Sequence, residues 1–353
     1  MFIRRKDGSV EDQDGKVLLF SLSRFQSEIA EGDGCFVCGA KQGTKEFSDE
    51  HVISDWVLRD RGLHSGNLVL PNKKSFMYGR YVVPCCKDCN GRMAEIFEDK
   101  ISNAFSQGYE GVVGLTRAGD GELLWLWMSL IFLKLLLKHK EFRWHSDRRF
   151  EDIKMSEVYD WEPLHHIHCV ARSFYTGATI HRKVFGSLFV WPASPIEGGE
   201  EFDFANFLPG ASLLLRIGGV VAFAVMNDSG LALGSLNEMI KKITGPLSFV
   251  QGREILALLC HRNLSLEPRP AYSSEFDPTT GEYQITADIP DNIHLIDDPR
   301  PELRGEITAF FVKDILEGVG ADPKSLGHVK AGEYSFLFGD DGKFLDHRSL
   351  NPS

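Results

Sequence analysis

The chain has no apolar run long enough to cross a bilayer. The longest, "LLWLWMSLIFLKLLL" at residues 123–137, stops after 15 residues and carries Lys134 inside, where a spanning helix needs roughly 18–20. It reads as a buried core helix, with a helix lying on a membrane surface as the rival. The opening "MFIRRKDGSVEDQ" has basic residues with no apolar segment behind them, so no secretory signal is expected. No repeat recurs at a fixed period, which excludes solenoids and propellers. An excess of basic charge is missing too: the formal net charge is −11, which argues at first against a polyanionic partner. Composition is otherwise ordinary, 43% hydrophobic and 25% charged, and excludes wholesale disorder. A chain of 353 residues can bury a core of two domains or three.

The acidity is uneven. Residues 1–110 hold 15 Lys/Arg against 17 Asp/Glu, whereas residues 121–353 hold 23 against 32. Between residues 73 and 92, Lys73, Lys74, Arg80, Lys87 and Arg92 face only Asp88, a local sum of +4. A basic face is therefore expected there.

Cysteine is scarce except in one place. Of seven in the chain, five lie between residues 35 and 89. Cys169 and Cys260 stand alone in apolar surroundings and read as inert core residues. Without a secretory signal the expected compartment is the reducing cytoplasm, where disulfides are rare. Clustered cysteines then point to metal or redox chemistry. "CFVCG" at 35–39 and "PCCKDCN" at 84–90 supply two Cys-x-x-Cys pairs, Cys35/Cys38 and Cys86/Cys89. Four thiolates are the ligand set of a closed, tetrahedral, structural zinc site. A thioredoxin-like redox pair would explain one motif and not the other, and neither lies in a βαβ pattern. The zinc-deaminase signature fails because no His-x-Glu precedes Pro84. Cys85 offers a rival register, but Cys86 has the better spacing to Cys89.

Coarse patterning places these motifs. Residues 17–30 read as a short strand entering a helix, and a helical apolar repeat (Met93, Ile96, Phe97, Ile101) follows Cys89. "GLTRAGDGE" at 114–122 has linker composition. Beyond it come helical segments over 123–142, strands at 165–175 and 187–192, and a hairpin turning at Gly218-Gly219. A helix at 251–263, a long loop over 262–283 and a short helix at 306–317 follow. The fold class is α+β: an N-terminal zinc unit, then an α+β domain with an apolar helix and antiparallel strands. The divisions are 1–30 as lead-in, 31–113 as zinc-bound domain and 121–353 as second domain. "HHIH" at 165–168 would put His166 and His168 on one face of a strand, where a partly exposed strand is preferred to a metal site.

Between the cysteine pairs lies "DEHVIS" at 49–54. The order Cys35/Cys38, Glu50-His51, Cys86/Cys89-Asn90 resembles the HNH, or ββα-metal, endonuclease family. It looks most like the branch whose treble-clef zinc is held by four cysteines. The resemblance covers about residues 31–105. It implies phosphodiester hydrolysis in nucleic acid, with DNA the favoured substrate and host (antiphage) defence a setting by analogy. His51 would be the general base, a role suited to an imidazole of intrinsic pKa about 6.5. Glu50 and the Asn90 carbonyl oxygen would hold a catalytic Mg²⁺ or Mn²⁺. Asn72, with Asn67 as competitor, would be the middle Asn that orients the base. Lys73, Lys74 and Arg92 are candidate phosphate contacts, or a solvated face. Adjacent strand residues point to opposite sides, so Glu50 and His51 can share a phosphate only if a turn or bulge re-aims one. His64 lies in a nearby loop with no assigned role. Two positions depart from the family pattern: Glu50 where Asp is usual, and Ser54 where Pro is frequent. The second domain would sense a trigger, bind a protein partner or choose the target, and no membrane is implied. The rival functions are a non-catalytic treble-clef module that binds nucleic acid or protein, and a protein-interaction subunit.

Overall fold

Turn-rich, cysteine-bearing sequence and long apolar segments build different architectures, and the chain divides accordingly. The computed structural model describes residues 2–70, 72–117, 119, 121–145, 147–195, 201–295 and 301–347. It is of the α+β class, with two compact units. The first comprises Met1–Asn103, Leu126–Arg182 and Tyr272–Thr286; the second comprises Ala104–Trp125, Lys183–Ala271 and Ala287–Ser353.

The first unit opens with an antiparallel sheet of β1 (Phe2–Arg4), β2 (Val10–Asp12) and β3 (Val17–Leu19), followed by α1 (Leu22–Phe25). Then come β4 (Phe47–His51), α2 (Asp55–Asp60), the hairpin β5 (Asn67–Val69) with β6 (Ser75–Met77), and β7 (Val82–Cys86). β4 pairs antiparallel with β7 in unbroken register, from Phe47 opposite Cys86 to His51 opposite Val82. α3 (Lys87–Met93) starts directly at the end of β7 and passes through a π turn into α4 (Asp99–Ser106). The unit also takes most of α6 (Gly121–His139), and then α7 (Trp161–Ala171) and α8 (Ser173–Thr176). β8 (Thr179–Ile180) lies parallel to β15 (Tyr283–Asp288), whose other neighbour is β14 (Ala271–Phe276).

α6 is almost wholly apolar, and Trp127, Met128 and Leu130–Leu137 are all buried, the paired Lys134 among them at 2% exposure. An apolar circumference is the mark of a helix inside a core. Among the described residues no helix is long and apolar enough to cross a membrane.

The second unit holds α5 (Gly108–Arg117) and an antiparallel sheet in the order β10 (Phe202–Phe207), β11 (Ser212–Ile217), β12 (Val220–Val225), β9 (Leu188–Pro192). The helices α9 (Leu231–Ser235), α10 (Asn237–Ile240), α11 (Phe249–Leu264), α12 (Pro301–Gly318) and α13 (Pro323–Lys330) complete it, with the short pair β13 (Leu266–Glu267) and β16 (His294–Leu295). Its core joins Leu214 and Phe223 of the sheet to Ile255, Leu256 and Leu259 of α11 and to Ile307 and Phe311 of α12. α11 begins in a capping box between Ser248 and Gln251, which satisfies its first free N–H groups.

The expected hairpin, apolar helix, and helices near 251–263 and 306–317 are present, as β11–β12, α6, α11 and α12. Three expectations are corrected. Residues 165–175 form helix, because Asp160 caps α7 by accepting from Glu162 N at 3.1 Å. The stretch at 262–283 is not a long loop but contributes β13, β14 and the start of β15. The linker at 114–122 is helical through Arg117, with α6 beginning at Gly121 and residues 118 and 120 outside the described set. The grouping into units also differs from a division at residues 113/121, since residues 126–182 and 272–286 belong with the cysteine-bearing unit.

Candidate functional site

The cysteine pairs meet through backbone geometry. The first lies on a tight turn in which Cys35 N donates to Ala40 O at 2.9 Å and Gly39 N to Cys35 O at 2.8 Å. Gly39 has φ +74, and a Cβ there would come within 2.8 Å of the Phe20 ring, so only glycine closes this turn without strain. The second pair spans the end of β7 and the first turn of α3. Phe36 N donates to Pro84 O at 3.4 Å, joining the two pieces.

All four Sγ atoms of Cys35, Cys38, Cys86 and Cys89 are buried and lie within 4.8 Å of one another. The Cys38 and Cys86 sulfurs are 3.7 Å apart. Tetrahedral zinc with Zn–S bonds of about 2.3 Å requires sulfurs separated by about 3.8 Å. The cluster could therefore hold a structural metal such as zinc, and its donors leave no opening for a substrate. The close sulfurs titrate together: hydrogen bonds from Cys38 and Cys85 hold the Cys35 thiol well below the ordinary range, and contacts with Cys35 push the Cys38, Cys85 and Cys89 thiols up. Cys85 touches Cys35 at 3.8 Å but lies outside the group of four whose sulfurs all come within 4.8 Å, so it is a packed neighbour.

The first knuckle is also held from outside its own sequence neighbourhood. His168 of α7 donates Nε2–H to Phe36 O at 2.9 Å. Arg172, 1% exposed, donates Nε–H to Val37 O at 2.9 Å and its other nitrogens to Leu18 O at 3.2 Å and Val17 O at 2.5 Å. "HHIH" thus contributes positioning. His165 donates to Phe20 O at 2.9 Å, and His166 stacks on Tyr272 with ring centroids 4.2 Å apart. The helix turns His166 and His168 to different neighbours, so the strand-face pairing does not form.

Along β4 the side chains alternate, and no bulge interrupts the ladder. Glu50 consequently points inward, 8% exposed, and is met by Lys134 Nζ at 2.6 Å, which also donates to His51 O at 2.7 Å. Asn90 donates to Ser48 Oγ at 2.9 Å. His51 lies at the strand's end with its side chain 21% exposed. The structure does not bring Glu50 and His51 to one side. Asn72 donates to Arg143 O at 2.9 Å and accepts from Lys74 N at 3.1 Å, holding the β5–β6 turn. Asn67 is exposed on β5. Lys73, at φ 63, and Lys74 are exposed at that turn. Arg92 is exposed beside Tyr175 and donates to Phe174 O at 3.2 Å.

What the structure does gather around His51 is Asp55 and His64. Asp55 Oδ1 lies 3.8 Å from His51 Nδ1 and 3.2 Å from His64 Nε2. The two imidazoles stand edge to face, with centroids 5.7 Å apart and planes at 80°. Asp55 opens α2 and His64 sits in the turn Leu63–Ser65 just after it. Sequence reading passed over Asp55, although His51-x-x-x-Asp55 at a strand-to-helix junction was a readable signal. No family model matches the chain, and no curated protein or solved structure matches it either.

Proposed function

We propose that the first unit is a metal-dependent endonuclease unit of the HNH type. It hydrolyses phosphodiester bonds in nucleic acid, with DNA the first substrate to try. The reading is supported by a tetrathiol cluster suited to zinc, formed where a turn meets the end of β7 and the start of α3, a placement that a treble clef would require. The observation that carries it is His51. A half-buried imidazole ends the strand laddered to the one that delivers Cys86, with a carboxylate and a second imidazole beside it. Such a group can activate water near neutral pH. The zinc cluster would act as scaffold, fixing β7 and α3 relative to the His51 strand, as a reacting geometry requires. Lys73, Lys74 and Arg92 would contact phosphates, giving salt-dependent binding without sequence readout. The second unit would hold the trigger, partner or target-recognition role.

Glu50 does not fit the ion site that the resemblance assigns it, because its carboxylate is committed to the buried Lys134. Asn90 donates its amide nitrogen to Ser48 Oγ, which leaves its carbonyl oxygen without Glu50 as a fellow ligand. Water activation is accordingly attributed to the His51 cluster. Purified wild type and His51→Ala, incubated with supercoiled plasmid and Mn²⁺ or Zn²⁺, provide the test. Nicking by wild type with at least a hundredfold loss in the variant is expected; equal nicking by both would end the reading.

The occupied Glu50 also favours a second reading, a treble-clef module that binds nucleic acid without cutting it. That module would bind with metal-independent affinity, unchanged by His51→Ala, and its affinity would fall steeply between 50 and 200 mM salt, concentrations at which phosphate contacts weaken.

A further inference from the structure

We propose that His51 Nδ1, Asp55 Oδ1 and His64 Nε2 form an open, three-donor site for a divalent transition-metal ion, distinct from the four-cysteine cluster. The three donor atoms lie within 4.8 Å of one another. Bonds of about 2.0–2.2 Å to imidazole nitrogen and carboxylate oxygen place tetrahedral donors roughly 3.3–3.6 Å apart, and the 3.2 and 3.8 Å separations about Asp55 Oδ1 bracket that range. The third separation, between the two imidazole nitrogens, is within 4.8 Å, so the rings draw together to close on an ion.

The surroundings hold this geometry. Arg59 Nε donates to the other carboxylate oxygen, Asp55 Oδ2, at 2.9 Å, leaving Oδ1 toward the imidazoles. Gly79 packs on His64, where a Cβ would lie 2.7 Å from His64 O and 3.4 Å from its Nδ1. His51 ends a laddered strand. The three donors span only residues 51–64 across a strand end, a helix start and a turn, so the chain costs little entropy to close around them.

The donor set names the class of ion. Two imidazoles and one carboxylate suit Zn²⁺, Co²⁺, Ni²⁺, Fe²⁺ or Mn²⁺, whereas Mg²⁺ and Ca²⁺ prefer oxygen alone. The side chains are 21%, 41% and 45% exposed for His51, Asp55 and His64, so a fourth position faces solvent, as in catalytic rather than structural sites. Use of the site in cleavage rests on the hydrolase reading; binding of the ion does not. A bound ion there would supply the charge that lets water ionise near neutral pH and that offsets charge on a phosphoryl oxygen. With the ion bound, His51 would serve as ligand rather than as free base, the ion taking over water activation within the same His51 cluster. Asp55 would be the neutralising donor and Arg59 the group that orients it.

The experiment uses the full chain carrying its four-cysteine metal, titrated calorimetrically with Co²⁺ and separately with Mg²⁺. One further equivalent of Co²⁺ is expected, bound at least a hundredfold more tightly than Mg²⁺. Asp55→Asn and His64→Ala, both at exposed positions, should weaken Co²⁺ at least tenfold while elemental analysis still finds the first metal. Co²⁺ bound equally by both variants, or by neither them nor wild type, overturns the site. Loss of Co²⁺ binding in Asn90→Ala with His64→Ala unaffected overturns it in favour of the other ligand pair. Plasmid nicking is scored separately: an ion bound as described without cleavage upholds the site and sinks the hydrolase reading. Cleavage that survives in His64→Ala, with no second equivalent bound, upholds the site and overturns its use in cleavage.

Discussion

Glu50 and His51 are neighbours in sequence with opposite fates, and the strand's alternation decides which is which. Glu50 enters the interior only because Lys134 meets it there, with side-chain exposures of 10% and 3%. Ionised groups taken from water that far depend on each other. Removing one leaves the other charged and buried without its nearest counter-charge, at a cost of about 3–5 kcal/mol. Glu50→Gln or Lys134→Met should therefore lower unfolding stability by that order, read as a shift in urea midpoint at constant slope. The double variant should recover most of the loss, since a neutral pair leaves no buried charge. A Glu50→Gln protein as stable as wild type would remove the pair as a structural element and reopen Glu50 as a metal ligand. The lysine inside the apolar run was visible in the sequence, but its pairing with Glu50 was not, because the two lie 84 positions apart. Asp55 and His64 were in view but given no role for a different reason: neither belongs to the motif that drew attention to His51, and α2 with the turn after it brings them back to it.

Among the elements, those whose pattern is local were readable and those decided by tertiary contacts were not. The paired Cys-x-x-Cys spacing foretold a four-sulfur cluster, and the two glycines after Ile217 foretold the β11–β12 hairpin. Helix α7 went the other way. "HHIHCV" alternates like a strand, and the cap at Asp160 was outweighed by that period-two pattern. The helical outcome matters for the knuckle, because α7 and the residue after it supply His168 and Arg172. Arg172 serves three carbonyls of two separate segments, Val37 on the knuckle and Val17 and Leu18 on β3. Replacing it with Met keeps apolar bulk but strands three buried acceptors, each costing about 1–3 kcal/mol when unsatisfied. Loaded with zinc at the cysteine cluster, Arg172→Met should release the ion to a chromogenic chelator at least tenfold faster than wild type loaded alike. Unchanged release would show that the knuckle is held by its own turn alone. Stripping that metal from wild type should lower the thermal midpoint of the first unit, since binding energy in such a site is folding energy.

At the scale of the whole molecule, buried histidines set the response to acid. His139 Nε2 shares a hydrogen bond with the Tyr81 hydroxyl, 2.6 Å away, and burial pushes its pKa down to about 3. His166 is likewise pushed down to about 3, chiefly by burial, and His168 falls well below its ordinary value through burial and then the Arg172 charge. All three belong to the first unit. In the unfolded chain each titrates near 6.5. Below that pH the unfolded state binds more protons than the folded one, so stability falls as pH drops. The loss begins near pH 6.5 and continues toward about 3, each histidine contributing up to about 1.4 kcal/mol per pH unit. Above pH 7 these groups contribute no pH dependence. Urea midpoints measured from pH 7.5 to 4.5 should therefore be flat at first and then decline steeply. His139→Gln retains an acceptor for the Tyr81 hydroxyl but cannot bind the proton, so its decline should be shallower by about one proton per unfolding event. A variant whose slope matches wild type would mean that His139 titrates alike in both states, and that the acid sensitivity resides elsewhere.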